Sequence, residues 1–364
     1  MVGRAPGTAA RFHMTQAHGR TDATERTPDG SAVLGRSAAS GRAGAVLHGF
    51  LRWWRPAGMW RRGIVVAVLA VLLTLLLSFH SHVPNRIGNL GSLTETFLPW
   101  SGLVLPVLLV LAVVRRSATG LIAIVLPFAV WLNLFGGLLT DKEAPGGDLT
   151  VLTHNVNAGN LDPDGTARDL VVAHADIVAL EELPESQAPR YAHDLAAAYP
   201  YHSVQGTVGL WSRYPMHAVR PVDIRMGWTR AMRATVTTPH GPVAVYVAHL
   251  PSVRVTFDAG FTAGQRDRAA DALGRAIADE PLHSVVLLGD LNGTMNDRSL
   301  AAVTSQMRST QGAAGNGMGF SWPASFPMAR IDQIMVKGIE PRSSWTLPRT
   351  GSDHLPVAAR LQLP

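Results

Sequence analysis

Polar side chains of a few chemical types recur where apolar runs of this sequence stop. The run from Leu149 delivers Asn155 and Asn157, and the run from Asp176 delivers Glu181 and Glu182. The run from Val243 ends in His249, and the run from Val285 ends in Asp290 and Asn292. Asp332 opens the run after Ile331, while Asp353 and His354 stand just before the last run, which starts at Val357. Each has an ordinary reading alone: Asp290-Leu-Asn-Gly is turn chemistry, and Ser352-Asp-His a loop start. Collected at strand ends, where a sheet holds them rigidly, they read together as a site. With no cysteine in the chain and no His-Glu-x-x-His pair, oxygen ligands of this kind suit a hard ion, Mg²⁺, Mn²⁺ or Ca²⁺, rather than structural zinc. A hard ion beside histidines suits phosphoryl chemistry, because it neutralises phosphate charge while a carboxylate orients or deprotonates the attacking water.

The elements that must position these residues are short. The β-rich runs LTVLTHNV, DIVALEEL, VGLWSR, RATVTT, VAVYVAHL, VVLLGDLN, IDQIMVKG and VAARLQL alternate in part with helix-like stretches at 166–174, 186–198 and 265–280. That pattern predicts an α/β domain of mixed sheets covered by helices. Upstream the chain changes character. Hydrophobic residues make up 47% and charged residues only 16% of the whole, which implies that part of it sits in lipid. Three charge-free runs at 63–79, 97–114 and 121–139 each approach the ~17–25 residues that cross a bilayer. Pro99, Pro106 and Pro127 are tolerable in such helices. The organisation expected is a disordered basic tail at 1–50, a three-helix membrane anchor at 51–140, a linker at 141–147 and a catalytic domain at 148–364.

Charge sets the expected orientation. Arg61 and Arg62 precede the first run, and Arg115 and Arg116 join the second to the third, whereas the first link carries only Arg86. Arginine-rich ends stay in the cytoplasm, so three crossings put the catalytic domain outside. A twin-arginine export reading of Arg61-Arg62 gives the same side. The net charge of +6 comes mainly from the N-terminal region, and the catalytic part shows no basic run interleaved with aromatics, so no nucleic-acid track is evident.

Over residues 148–363 the motifs, in order, resemble the endonuclease/exonuclease/phosphatase (DNase I-like) superfamily. Asn155 resembles the Asn closing that family's first strand, and Glu182 its metal-binding Glu. Gly209-Leu-Trp-Ser-Arg-Tyr-Pro215 is similar to its Ser-Arg-Tyr-Pro strand, Gly289-Asp-Leu-Asn292 to its Gly-Asp-Phe-Asn, Arg330-Ile-Asp332 to its Arg-Ile-Asp and Ser352-Asp-His354 to its Ser-Asp-His. The resemblance implies a four-layer α/β sandwich behind three transmembrane helices. It implies that Glu182 binds the metal, helped by Asn157 or Asn155, with Asp353 beside it and Glu181 in support. Asp290 would activate water, and Asn292 would hold the phosphate or that water. Asp332 would orient His354 on the scissile phosphate. His249 would either protonate the leaving oxygen or stabilise charge there. Asn155 and Arg213 would bind substrate; Arg225, Arg230, Arg233 and Arg254 are further cations able to clamp a headgroup. Three departures stand out: Glu181 replaces the usual Gln, no Glu before Trp211 pairs with His249, and Gln333 follows Asp332 where many relatives carry an aromatic residue or His. The three-helix anchor with an external domain also resembles the VanJ-type teicoplanin-resistance proteins of actinobacteria. That resemblance implies a lipid-linked phosphate or pyrophosphate of the cell envelope as substrate, presented by the bilayer at high effective concentration to a tethered domain.

Overall fold

The computed structural model describes residues 58–85, 89–252 and 260–364, with the side chains of 260–263 left aside. The basic tail expected at 1–50 and most of the Trp/Arg collar after it lie outside the described residues, as does Arg254.

Two six-stranded sheets face each other, ordered β11-β12-β1-β2-β4-β3 and β5-β6-β7-β8-β10-β9 among the described residues, with β6 at Ala231–Thr238 and β9 at Arg308–Ser309. In the first, β1 (Leu149–Asn155) runs parallel to β2 (Ile177–Glu181) and antiparallel to β12 (Val357–Gln362). In the second, β7 (Gly241–Ala248) runs parallel to β8 (Val285–Asp290), and β10 (Asp332–Lys337) antiparallel to β8. The inner faces meet in one apolar core that includes Val151, Ile177 and Leu210 from one sheet and Val245, Val286 and Leu288 from the other. Successive side chains point to opposite faces, so Leu152, Val178 and Trp211 turn outward, where Leu170 of α5 (Pro163–Val172) and Tyr191 and Leu195 of α6 (Ala188–Leu195) cover them. On the other side Leu273 and Ile277 of α7 (Gly260–Ala278) cover Tyr246, Leu287 and Met335. The result is the four-layer sandwich. Strands buried on both faces need near-continuous apolar sequence, which is why these strands stand out in the chain. Four strands absent from the sequence reading, β3 (Tyr201–Gln205), β5 (Met216–Pro221), β9 (Arg308–Ser309) and β11 (Glu340–Thr346), are at sheet edges and carry polar or exposed residues.

Among the described residues, three helical segments are long and apolar enough to cross a membrane: Ile64–His82, Leu90–Val114 and Ala118–Leu138. The first contains α1 (Ile64–Phe79) and the third α4 (Ala118–Phe135). The second starts seven residues before the apolar run at 97. It is built from α2 (Leu90–Phe97), a 3₁₀ stretch over Leu98–Leu103 and α3 (Val104–Val114). Its polarity is inverted: Ser92 and Glu95 are buried, while Leu90 and Leu93 are exposed.

These segments are docked on the sandwich, not merely tethered to it, and the described residues form one compact unit. Arg266 Nη2 donates to Ser92 Oγ at 2.9 Å, Thr294 Oγ1 to the Glu95 carbonyl at 3.2 Å and Arg298 Nη1 to the Val83 carbonyl at 2.7 Å. Trp100 Nε1 donates to the Met328 carbonyl at 2.7 Å. The linker is itself pinned, its Ala144 N–H reaching the Arg342 carbonyl at 2.7 Å.

Candidate active site

Strand direction gathers the polar residues. Parallel β1 and β2 end side by side at Asn155 and Glu181, paired in register. Parallel β7 and β8 end together at Ala248 and Asp290. The antiparallel partners start where these finish: Asp332 pairs with Asp290, and Val357, just after Ser352–His354, pairs with Thr153. One edge of the sandwich therefore receives Asn155, Glu182, His249, Asp290, Asp332 and His354.

The backbone is bent to bring them close. Gly289 has φ +154°, and a Cβ there would sit 1.9 Å from the Ala248 carbonyl oxygen. Only glycine lets β8 pass the residue before His249 this closely, so Asp290 comes beside that imidazole. Asn157 (φ 60°), Glu182 (φ 53°) and Asn292 (φ 47°) are left-handed. That conformation is uncommon outside glycine and is concentrated at functional sites.

Asn155 Nδ2 donates to Asp290 Oδ2 at 3.0 Å, a bond from one sheet to the other. Asn292 donates its N–H to Asp290 Oδ1 at 2.9 Å, and its Nδ2 to Asp290 Oδ2 at 3.2 Å and to the Leu250 carbonyl at 2.9 Å. His354 Nδ1 lies 2.9 and 3.1 Å from the two Asp332 oxygens, and Ser321 Oγ donates to Asp332 Oδ2 at 2.6 Å. His354 Nε2 stands 4.0 Å from Asp290 Oδ2. His249 Nε2 lies 3.5 Å from Glu182 Oε1 and 3.7 Å from Asp290 Oδ2, so its acidic neighbours come from the strand ends rather than from before Trp211. Asn157 Nδ2 donates to Asp353 Oδ1 at 2.9 Å, and Glu182 Oε2 accepts the Ala158 N–H at 3.3 Å. Glu181 is fully buried behind them and accepts Thr153 Oγ1 at 2.8 Å.

Burial and the negative charge of Asp332 raise Asp290 to about 7. Burial also acts to raise Asp332, but the His354 imidazolium and the Ser321 hydroxyl outweigh it and hold the carboxylate below its usual range. Burial opposes the charged form of His354, yet Asp332, Asp290 and Asp353 together lift it to about 10. His249 goes the other way: burial, the Arg230 guanidinium and His354 keep it well below its ordinary value. Glu181 is pushed well up, chiefly by burial. Near neutral pH the site thus combines a charged His354, a neutral His249 and a proton-accepting Asp290.

Asp290, Asp332 and His354 form a buried group whose ligand atoms all lie within 4.8 Å of one another. The surroundings fit a hard divalent cation. The donors are carboxylate and amide oxygens without sulfur, and the upward shift of Asp290, caused first by burial and then by the Asp332 charge, is one that a dication would offset. His354, charged and turned to Asp332 through Nδ1, is poorly suited as a ligand. Glu182 is the most open carboxylate around His249, with a side chain 35% exposed.

The cleft in front of these residues has a volume of about 310 Å³. One wall is Glu182, Asp290, Asn292, Asp353 and His354; Ser92, Leu93, Thr96 and Phe97 of the second membrane segment form another. Sequence reasoning missed that second wall, whose only signal is the polar Ser92-Leu-Thr-Glu-Thr96 just ahead of an apolar run. It also passed over Ser321, the hydroxyl that holds Asp332.

The arginines divide. Arg230 reaches the site's rim, its Nε donating to the His249 carbonyl at 3.0 Å. Arg213 does not. β4 (Val208–Ser212) is antiparallel to β2, so the residue after it lies at the opposite end, paired with Asp176 at 3.4 Å. This corrects the substrate-binding role expected of Arg213. Arg233 is also removed, buried against Glu280 at 2.8 Å.

The chain matches the Endonuclease/Exonuclease/phosphatase family over residues 152–354. No curated protein matches it. Among solved structures it is similar to an endonuclease/exonuclease/phosphatase from Bacteroides vulgatus, at 16% identity over 60% of this chain and 100% of that one, with a TM-score of 0.50. Humanized D. rerio TDP2 is 18% identical over 58% of this chain and 98% of that one, with a TM-score of 0.49. A mannosyl-6-phosphatase from Bacteroides thetaiotaomicron is 16% identical over 59% of this chain and 99% of that one, with a TM-score of 0.47. At such identities the likeness is one of fold.

Proposed function

The chain belongs to the endonuclease/exonuclease/phosphatase family, and on that premise we propose that it is a membrane-anchored, divalent-metal-dependent phosphoesterase acting on a lipid-linked phosphate or pyrophosphate of the cell envelope. The observation that carries the substrate class is the cleft wall made by Ser92, Leu93, Thr96 and Phe97. The same segment continues as a candidate membrane span to Val114, so the phosphate of a lipid in that bilayer meets the carboxylates with its tail still in hydrocarbon. A long polynucleotide would have to lie against the membrane surface to reach the same atoms.

Mg²⁺ or Mn²⁺, held by Glu182 with Asn155, Asn157 or Asp353 nearby, would supply charge neutralisation of the phosphate. Asp290, kept basic enough by its surroundings, orients and deprotonates the attacking water. Asn292 and Asn155 fix that carboxylate through the hydrogen bonds described. His354, held charged by Asp332, binds a phosphate oxygen and is the group able to donate a proton to the leaving oxygen. Neutral His249 donates a hydrogen bond through Nε2 in the tautomer that leaves its buried Nδ1 as acceptor. Arg230 steadies the backbone of His249 and Leu250.

An extracytoplasmic site accords with the arginines. Arg115 Nε donates to the Arg62 carbonyl at 2.7 Å, so the basic ends of the first two segments meet, while the other ends of those segments dock on the sandwich. Retention on the cytoplasmic side of that basic end follows from the charge rule. A role in glycopeptide resistance of the VanJ type is consistent with a substrate from cell-wall synthesis.

The test is phosphate release by the full chain in vesicles with Mg²⁺, from undecaprenyl pyrophosphate in the bilayer and from a short soluble prenyl pyrophosphate, with strand cleavage followed on plasmid DNA. The lipid should be the preferred substrate. Release no greater than that of Asp290→Ala removes the enzyme reading; preferred cleavage of DNA replaces the lipid substrate with a surface nuclease.

A further inference from the structure

A groove of about 720 Å³ runs between the second and third membrane segments, walled by Leu105, Leu109, Leu121, Val125, Phe128 and Trp131. That volume lies within the roughly 300–1,000 Å³ typical of small-molecule sites. Its shape is specified. The 3₁₀ stretch brings Gly102 so close to Trp131 that a Cβ would meet the indole ring at 2.6 Å, and Trp131 Nε1 donates to the Pro99 carbonyl at 2.9 Å. Trp100 stacks on Phe320 at the sandwich end, with ring centroids 5.7 Å apart. Leu109, Val125 and Phe128 remain exposed on the groove's sides, where a membrane would place hydrocarbon.

The groove leads on. Pro99, Met318 and Phe320 also line a second cavity, of about 530 Å³, beneath the sandwich. This one has a polar end formed by Arg330, Gln333, Gln311 and Thr294. Gln333 is completely buried and Arg330 nearly so, and Gln333 Oε1 and Arg330 Nε have no hydrogen-bond partner in the protein. An orphaned buried acceptor and donor each cost free energy unless something pairs with them. None of the residues lining the second cavity lines the catalytic cleft.

We propose that the two cavities form one lipid site, distinct from the catalytic cleft, for a glycerophospholipid carrying a free headgroup hydroxyl. One hydrocarbon chain occupies the groove. The polar end enters the second cavity, where a hydroxyl donates to Gln333 Oε1 and an ester or phosphate oxygen accepts from Arg330 Nε. Apolar walls inside a membrane segment admit a lipid chain, and the two orphaned atoms ask for a ligand that both donates and accepts. Gln333 Nε2 also donates to the Gly293 carbonyl at 3.4 Å, so the bound lipid stands directly behind the loop that carries Asn292. The proposal needs only that these segments lie in a bilayer; it holds or fails whatever the enzyme's substrate is.

The test uses native mass spectrometry of the full chain incubated with phosphatidylglycerol or phosphatidylcholine and then washed with detergent, alongside thermal unfolding. One phosphatidylglycerol should remain per wild-type chain, and it should raise the unfolding temperature. Val125→Trp, which fills the groove at an exposed position, should retain none and show no shift, while Val113→Trp, on a surface outside the groove, should behave as wild type. If Val125→Trp folds poorly, Leu109→Trp makes the same test from the facing helix. No retained lipid, equal retention by the groove-filling variants, or equal retention of phosphatidylcholine would overturn the proposal.

Discussion

Arg266 is fully buried on α7 and ties the membrane segment to the catalytic loop. Its guanidinium donates to the Asn292 carbonyl at 2.7 Å, to Ser92 Oγ at 2.9 Å and to Ser299 Oγ at 2.6 Å, and pairs with Asp297 Oδ2 at 2.7 Å. Arg266→Met removes all four contacts and strands a buried carboxylate, which costs about 3–5 kcal/mol of stability. Adding Asp297→Asn removes that stranded charge while keeping an oxygen for the Ser299 N–H and hydroxyl, which lie 2.9 and 2.7 Å from Asp297 Oδ1. The double variant should therefore recover most of the lost stability. It should not recover the grip on Asn292. A hydrogen bond from a charged donor is worth about 1.5–3 kcal/mol, which bounds the loss in kcat/KM at about ten- to a hundred-fold. Bonds from Asn292 to Asp290 and Leu250 survive, so the lower figure is expected. The assays are thermal unfolding in detergent and phosphate release from a bilayer-embedded polyprenyl pyrophosphate. A double variant that regains both stability and full rate would refute the positioning role; one that regains neither would refute the charge argument.

Asp332→Asn keeps the shape of the site but removes the charge that holds His354 protonated, so activity should fall by roughly 10²–10⁴ with folding intact; an unchanged rate would detach the pair from catalysis. Arg213→Ala should leave kcat/KM within about two-fold, as expected for a half-exposed ion pair remote from the chemistry; a large loss would restore it to the site. Glu280, buried against Arg233 and Tyr246, is pushed up by burial but held lower overall by their hydrogen bonds. A depressed carboxylate contributes stability above its unfolded value of 4.5 and loses it as pH falls. The gap in unfolding temperature between wild type and Glu280→Gln should accordingly be wide at neutral pH and narrow below about 4.5; a gap independent of pH would contradict the pairing.

What was legible in the sequence follows from burial. β1, β2, β7 and β8 are covered on both faces, so they appear as apolar runs, and a polar residue at the end of such a run is conspicuous. Edge strands such as β3 lack that contrast, and their residues read as loop. Arg213 was misplaced because a motif gives order along the chain but not strand direction. Only the antiparallel pairing of β4 with β2 puts its end away from Glu182. The segment from Leu90 to Phe97 escaped notice for the opposite reason: its polar residues face protein and its leucines face outward, the reverse of what amphipathic reading assumes for a helix at the edge of a water-soluble domain. Pairs that depend on tertiary placement, such as Ser321 with Asp332 or Arg266 with Asn292, have no local signature.

The most direct measurement compares wild type with Asp290→Asn, each as the full chain in the same vesicles, for Mg²⁺-dependent phosphate release from a polyprenyl pyrophosphate. The account predicts steady turnover by the first and a rate lower by roughly 10²–10⁴ for the second. Equal rates, or no metal-dependent turnover by wild type, would contradict it.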